Sequence, residues 1–77
     1  MKTNTVKFNA TTRYWINDNY HVNNPIREKV LAKGIKEEVE LNEFELKGLA
    51  YDLTNARYKD NSLKNNIVRV QKAVREL

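Results

Sequence analysis

The spacing of apolar residues at the C-terminal end constrains the fold most. Leu63, Ile67, Val70, Val74 and Leu77 recur at steps of four, three, four and three residues, the period of one face of an α-helix. This stripe is narrow and coiled-coil-like, so a helix bearing it has to dock on another element. Asn61 or Ser62 can cap its start, because a short polar side chain accepts from an otherwise unpaired helix N–H. The neighbour is the segment 43–58, where Leu46, Leu49, Leu53 and Ala56 fall on one side of a helix. Phe44, Tyr51 and Tyr58 recur every seven residues on the opposite side. Asn42 and Glu45 form a variant of the capping box, and Glu43 and Glu45 place negative charge at the positive end of the helix dipole. The connection Lys59-Asp60-Asn61 is short enough to make the two helices antiparallel neighbours, packed through Leu49, Leu53, Ile67, Val70 and Val74.

The N-terminal half reads differently. Over residues 5–16, Val6, Phe8, Ala10, Thr12, Tyr14 and Ile16 alternate with Lys7, Asn9, Thr11, Arg13 and Trp15, which predicts a strand, long enough to break into a hairpin or bulge near Asn9-Ala10. Asn17-Asp18-Asn19 is a turn signal. Asn24-Pro25 opens a helix over 25–33 with a narrow face of Ile26, Val30 and Leu31, and Gly34 is placed to end it in the left-handed conformation. Val39 and Leu41 alternate with Glu38 and Glu40, predicting a second short strand within 35–41. The expected fold class is α+β: one domain over residues 1–77, with an N-terminal β-strand or hairpin packed on a short helix and a C-terminal antiparallel helical hairpin. A chain of 77 residues supports one core, since a domain of this size hides only about 60% of its unfolded surface.

Several function classes are disfavoured by residue usage. Without cysteine there is no disulfide, thiolate nucleophile or thiolate metal ligand. The start, Met1-Lys2-Thr3-Asn4-Thr5, offers no signal-peptide apolar region, and no apolar run approaches the roughly 20 residues that span a bilayer, so no membrane contact and a cytoplasmic location are expected. Asn9-Ala10-Thr11 is then a chance match to the glycosylation triplet. His21 is the only histidine, no second titrating group is anchored near it in sequence, and the isolated Gly34 and Gly48 make no phosphate-cradling loop. The expectation is a protein that is not an enzyme, with neither cofactor nor metal.

Charge is segregated along the chain. Residues 1–36 hold seven Lys/Arg against two acids (+5), residues 37–53 one against six (−5), and residues 54–77 six against two (+4). Such a split steers association with charged surfaces of either sign and is not a uniform nucleic-acid-binding field. On the last helix, Lys64, Lys72 and Arg75 surround Val68 opposite the apolar stripe, either as a solvated face or as contacts to phosphate or an acidic protein surface. Lys7, Arg13 and Trp15 share the polar side of the strand; they stack on bases, form a protein-binding hot spot, or lie on a strand covered on both sides. The aromatic face of the second long helix either receives the N-terminal strand or meets a partner. The candidate partner-binding residues are Arg13, Trp15, Phe44, Tyr51 and Tyr58.

The stretch Val39-Glu40-Leu41-Asn42-Glu43-Phe44-Glu45-Leu46, then Leu49-Ala50-Tyr51-Asp52-Leu53 and a second amphipathic helix, resembles a pattern common in short accessory proteins of phages and mobile elements from low-G+C bacteria. The Asn/Lys/Ile-rich composition is similar to that of such genomes. The resemblance covers about half the chain, and its motif is a strand entering a capped helix. It implies accessory proteins, anti-CRISPR inhibitors among them, that block a larger machine by occupying a surface; no family site residue transfers. The leading expectation is a non-catalytic protein-binding effector: an inhibitor, in the host cytoplasm if phage-encoded, of a host defence or nucleic-acid-processing machine. Its partner is a host protein or protein–nucleic acid complex, with at most weak nucleic acid contact, and a homodimer stays open. The alternative is a small nucleic-acid-binding accessory or regulatory protein that uses the two basic segments.

Overall fold

A computed structural model describes all residues 1–77. Along the chain run β1 (Thr3–Lys7), α1 (Ala10–Asn19), α2 (Pro25–Leu31), β2 (Glu38–Asn42), α3 (Glu43–Thr54) and α4 (Asn61–Arg75). The fold is α+β. Its two strands pair antiparallel from Thr3 opposite Asn42 to Lys7 opposite Glu38, and α3 with α4 makes the C-terminal helical hairpin. Val6 on β1 and Val39 and Leu41 on β2 turn inward, while Glu38 and Glu40 face out, as the pleat requires.

The predicted strand over 5–16 is corrected. It stops at Lys7, and from Ala10 the chain is helical. Asn9 is the N-cap: its Oδ1 accepts from the Thr12 N–H at 3.0 Å and from the Thr12 hydroxyl at 2.9 Å. The apparent alternation misled because Thr12 and Ile16, both buried, stand four residues apart, a step that lines up on one side of a strand and on one face of a helix alike.

Asn24 and Pro25 begin α2 as expected, with Asn24 Oδ1 accepting from the Ile26 N–H at 2.8 Å. Its end departs from expectation. Gly34 is not left-handed, and no residue in the chain has positive φ. Arg13 of α1 instead donates through Nη1 to the carbonyls of Val30 at 2.8 Å and Lys33 at 2.6 Å, a cation against the negative end of the helix. The arginine thereby ties α1 to α2.

The capping box forms in both directions: the Glu45 N–H donates to Asn42 Oδ1 at 2.8 Å, and the Asn42 N–H to Glu45 Oε1 at 3.0 Å. The Lys29 ammonium reaches both oxygens of Glu45, at 2.8 and 2.9 Å. α3 stops at Thr54, so Ala56 and Tyr58 lie in the connection to α4. The cap of α4 is Asp60, whose Oδ1 accepts from the Leu63 N–H at 2.8 Å, and not Asn61 or Ser62. The leucine face of α3 and Leu63, Ile67 and Val70 of α4 join one cluster of 15 buried apolar residues with Phe8, Ile16, Val30 and the inward strand residues.

Candidate functional site

With the core filled, the outward surface of α3 is left in water. Phe44 and Tyr51 on α3, and Tyr58 in the connection after it, are 83%, 71% and 81% exposed, so the expectation that the N-terminal strand covers these aromatic side chains is corrected. The strand is held elsewhere: it pairs with β2, and its far side is bonded to α4, where Asn4 Nδ2 donates to the Ala73 carbonyl at 3.2 Å. Gly48 lies on the same open surface, and a Cβ placed on it would meet nothing within 4 Å.

Beside this surface, α1 and the α3–α4 connection flank an open cleft of about 740 Å³. Trp15, Asn19 and Tyr20 line it from the α1 side, and Asp52, Asn55, Tyr58 and Asp60 from the other. The rings of Trp15 and Tyr20 meet edge to face, with centroids 5.6 Å apart and planes at 79°, a favourable aromatic geometry. The Tyr20 hydroxyl donates to Asp52 Oδ2 at 2.7 Å. Burial first, then the hydrogen bond and negative charge of Asp52, push the Tyr20 phenol far above its usual range, so it stays a neutral donor. Tyr20 and Asp52 also line a second recess of about 430 Å³ that contains Pro25, Phe44 and Gly48. The pair is thus a wall shared by two concavities, with Tyr58 in one and Phe44 in the other.

Of the candidate residues, the cleft brings together Trp15 and Tyr58; Phe44 and Tyr51 stand on the adjoining face of α3, and Arg13 lies apart from them at the end of α2. Trp15 is half-buried and packs against the core, but on a helix and not on the strand face expected for it. Lys64, Lys72 and Arg75 are exposed on α4. Lys72 joins Lys7 and Arg69 along a groove of about 320 Å³ between α4 and β1. Of fourteen Lys/Arg residues, only Lys29 and Lys47 are in ion pairs, so this basic surface is uncommitted. Reading the sequence missed Tyr20, Asn19, Asp52 and Asn55. An N-cap at Asn9 is the signal for Asn19 and Tyr20, since a helix from Ala10 puts them with Trp15 at its end; Asp52 and Asn55 carry no such local signal.

His21 is exposed in the loop after α1. No three His, Cys, Asp or Glu side chains come close enough to hold a metal ion. No helix is long and apolar enough to cross a membrane. No protein-family model, curated protein or solved structure matches the chain.

Proposed function

We propose that the chain is a non-catalytic protein-binding domain whose contact surface runs from the Trp15 cleft over the outward face of α3. The observation that carries this reading is the exposure of Phe44, Tyr51 and Tyr58 beside a cleft walled by Trp15 and Tyr20. Large aromatic side chains give up favourable burial when left in water, and Trp and Tyr are the residue types that dominate interface energetics. In the setting implied by the sequence resemblance, the domain is a phage-encoded inhibitor that occupies a surface of a host defence or nucleic-acid-processing machine. Tagged protein carrying a photo-crosslinker in place of Lys47, exposed beside this face, tests the reading in host lysate. Capture of a specific protein that survives nuclease and is lost in Phe44→Ala/Tyr51→Ala supports it. Capture unaffected by that double variant refutes it.

A second reading has its own observation. Lys7, Arg69 and Lys72 line one groove against the single carboxylate Glu76, and none is in an ion pair, an arrangement suited to phosphate. Nucleic acid binding there is weak and nonspecific, because no set of side chains is placed to read bases. Replacing Arg69 and Lys72 with Gln abolishes retention on a polyanion column if this groove is used.

A further inference from the structure

We propose that the cleft beside Trp15 receives an arginine side chain presented by the partner protein; this rests on the protein-binding reading above and names the chemistry of its anchor. The aromatic walls come first. Trp15 and Tyr20 stand almost at right angles, and Tyr58 adds a third ring from the α3–α4 connection. Aromatic faces attract a cation through their quadrupole, and a flat guanidinium also stacks on them.

Hydrogen-bond inventory selects among cations. Asn19 Nδ2 donates to the Trp15 carbonyl at 2.8 Å, and Asn55 Nδ2 to the Tyr51 carbonyl at 2.8 Å. Both amides thus use a donor on their own helix, and nothing in the structure donates to their Oδ1 atoms. Asp52 uses Oδ2 for Tyr20, and Asp60 uses Oδ1 for the Leu63 N–H, so each carboxylate keeps an uncommitted oxygen. Two carboxylates against the single cation Arg57 also leave the lining net negative. Arg57 forms no ion pair with either.

A lining of aromatic side chains and of residues with free acceptors calls for a cation rich in donors. Guanidinium offers five in a plane, whereas a quaternary ammonium offers none and leaves the oxygens unpaired. An ammonium holds its water more tightly and cannot stack. Phosphate is repelled by Asp52 and Asp60. Open to solvent and about 740 Å³ in volume, the cleft has room for an arginine side chain.

Trp15 is the only tryptophan, so its emission reports on the cleft directly. The intact protein is titrated at constant ionic strength with Ac-Gly-Arg-Gly-NH2, Ac-Gly-Lys-Gly-NH2, tetramethylammonium chloride and a short single-stranded oligonucleotide. The arginine peptide is expected to give a saturable change with Kd at least about threefold below that of the lysine peptide or tetramethylammonium. Asp52→Asn, which keeps an acceptor for the Tyr20 hydroxyl, and Tyr58→Ala, at an exposed position, should each weaken it about threefold or more with melting unchanged. Equal response to the three cations, insensitivity to both variants, or a response to the oligonucleotide alone overturns the assignment. If the arginine peptide fails while nuclease-resistant capture still depends on Phe44 and Tyr51, the arginine anchor is wrong and the protein-binding reading stands. If that capture fails too, both fall.

Discussion

Asn66 accepts a 2.8 Å hydrogen bond from the main-chain N–H of Asn9 while its own amide donates to the Lys7 carbonyl at 3.0 Å. The side chain, wholly buried on α4, therefore grips the backbone on both sides of Phe8, where strand gives way to helix. Asn9 in turn caps α1 and donates from Nδ2 to the Ser62 carbonyl at 2.8 Å. One amide thus satisfies two backbone groups at the junction of strand and helix.

Replacing Asn66 with Leu should destabilise the protein by roughly 1–3 kcal/mol, since it leaves the part-buried Asn9 N–H and Lys7 carbonyl without their partner. Asn66→Asp keeps the acceptor for Asn9 but loses the donor to Lys7, and is expected to be destabilising as well. Urea unfolding followed by far-UV circular dichroism measures both; a midpoint like that of the parent for Asn66→Leu contradicts the role given to the amide.

Leu53 and Ile67 belong to the same buried cluster. Truncating either to Ala should cost about 2–5 kcal/mol through lost burial and the cavity left behind. That is a large share of the total for a small domain. Thermal melts of the two variants within a degree or two of the parent refute this packing.

Acid should loosen the junction between α2 and α3. Burial pushes the Glu45 carboxyl up, but the Lys29 hydrogen bond, the Asn42 N–H and the Lys29 charge together hold it below its usual 4.5. A carboxyl lowered by folding contributes stability above its unfolded pKa and loses it as pH falls through the folded value. The contribution is therefore complete at neutral pH and disappears on acidification below about 4.5. Glu45→Gln should flatten the acid limb of a melting temperature versus pH curve. Glu43, also lowered by its hydrogen bond and ion pair with Lys47, lies at the surface, so its effect should fade with added salt. An acid limb unchanged in Glu45→Gln argues against the Lys29–Glu45 contact as its source.

Gly48 offers a test that separates folding from binding. An exposed helix-interior glycine costs roughly 0.5–1 kcal/mol relative to alanine, and the new methyl meets no atom within 4 Å. Gly48→Ala should raise stability by about that amount, and it should weaken partner capture if the partner's backbone packs over this position between Phe44 and Tyr51. A stabilised variant with undiminished capture removes Gly48 from the interface.

Local chemistry was legible in the sequence. Asn24-Pro25 and the Asn42–Glu45 box could be read because caps bond to residues two or three positions away, and the C-terminal stripe because its period belongs to the helix itself. The short strand Glu38–Asn42 was legible from Val39 and Leu41 for the same reason. The segment after Asn9 was not. Thr12 and Ile16 fit either period, and the contacts that accompany the helix come from far along the chain: Asn66 at its start, Val30 and Lys33 receiving Arg13 in its middle, and Asp52 holding Tyr20 just past its end. The candidate site divides the same way. The sequence placed Phe44, Tyr51 and Tyr58 opposite the leucines of α3, but periodicity cannot say which of two apolar faces is covered. Tertiary structure decided that by bonding the strand to β2 and α4, leaving the aromatic face open. It alone brought Trp15, Tyr20, Asp52 and Tyr58 into one cleft, because their proximity depends on how α1 meets the helical hairpin and not on any spacing along the chain.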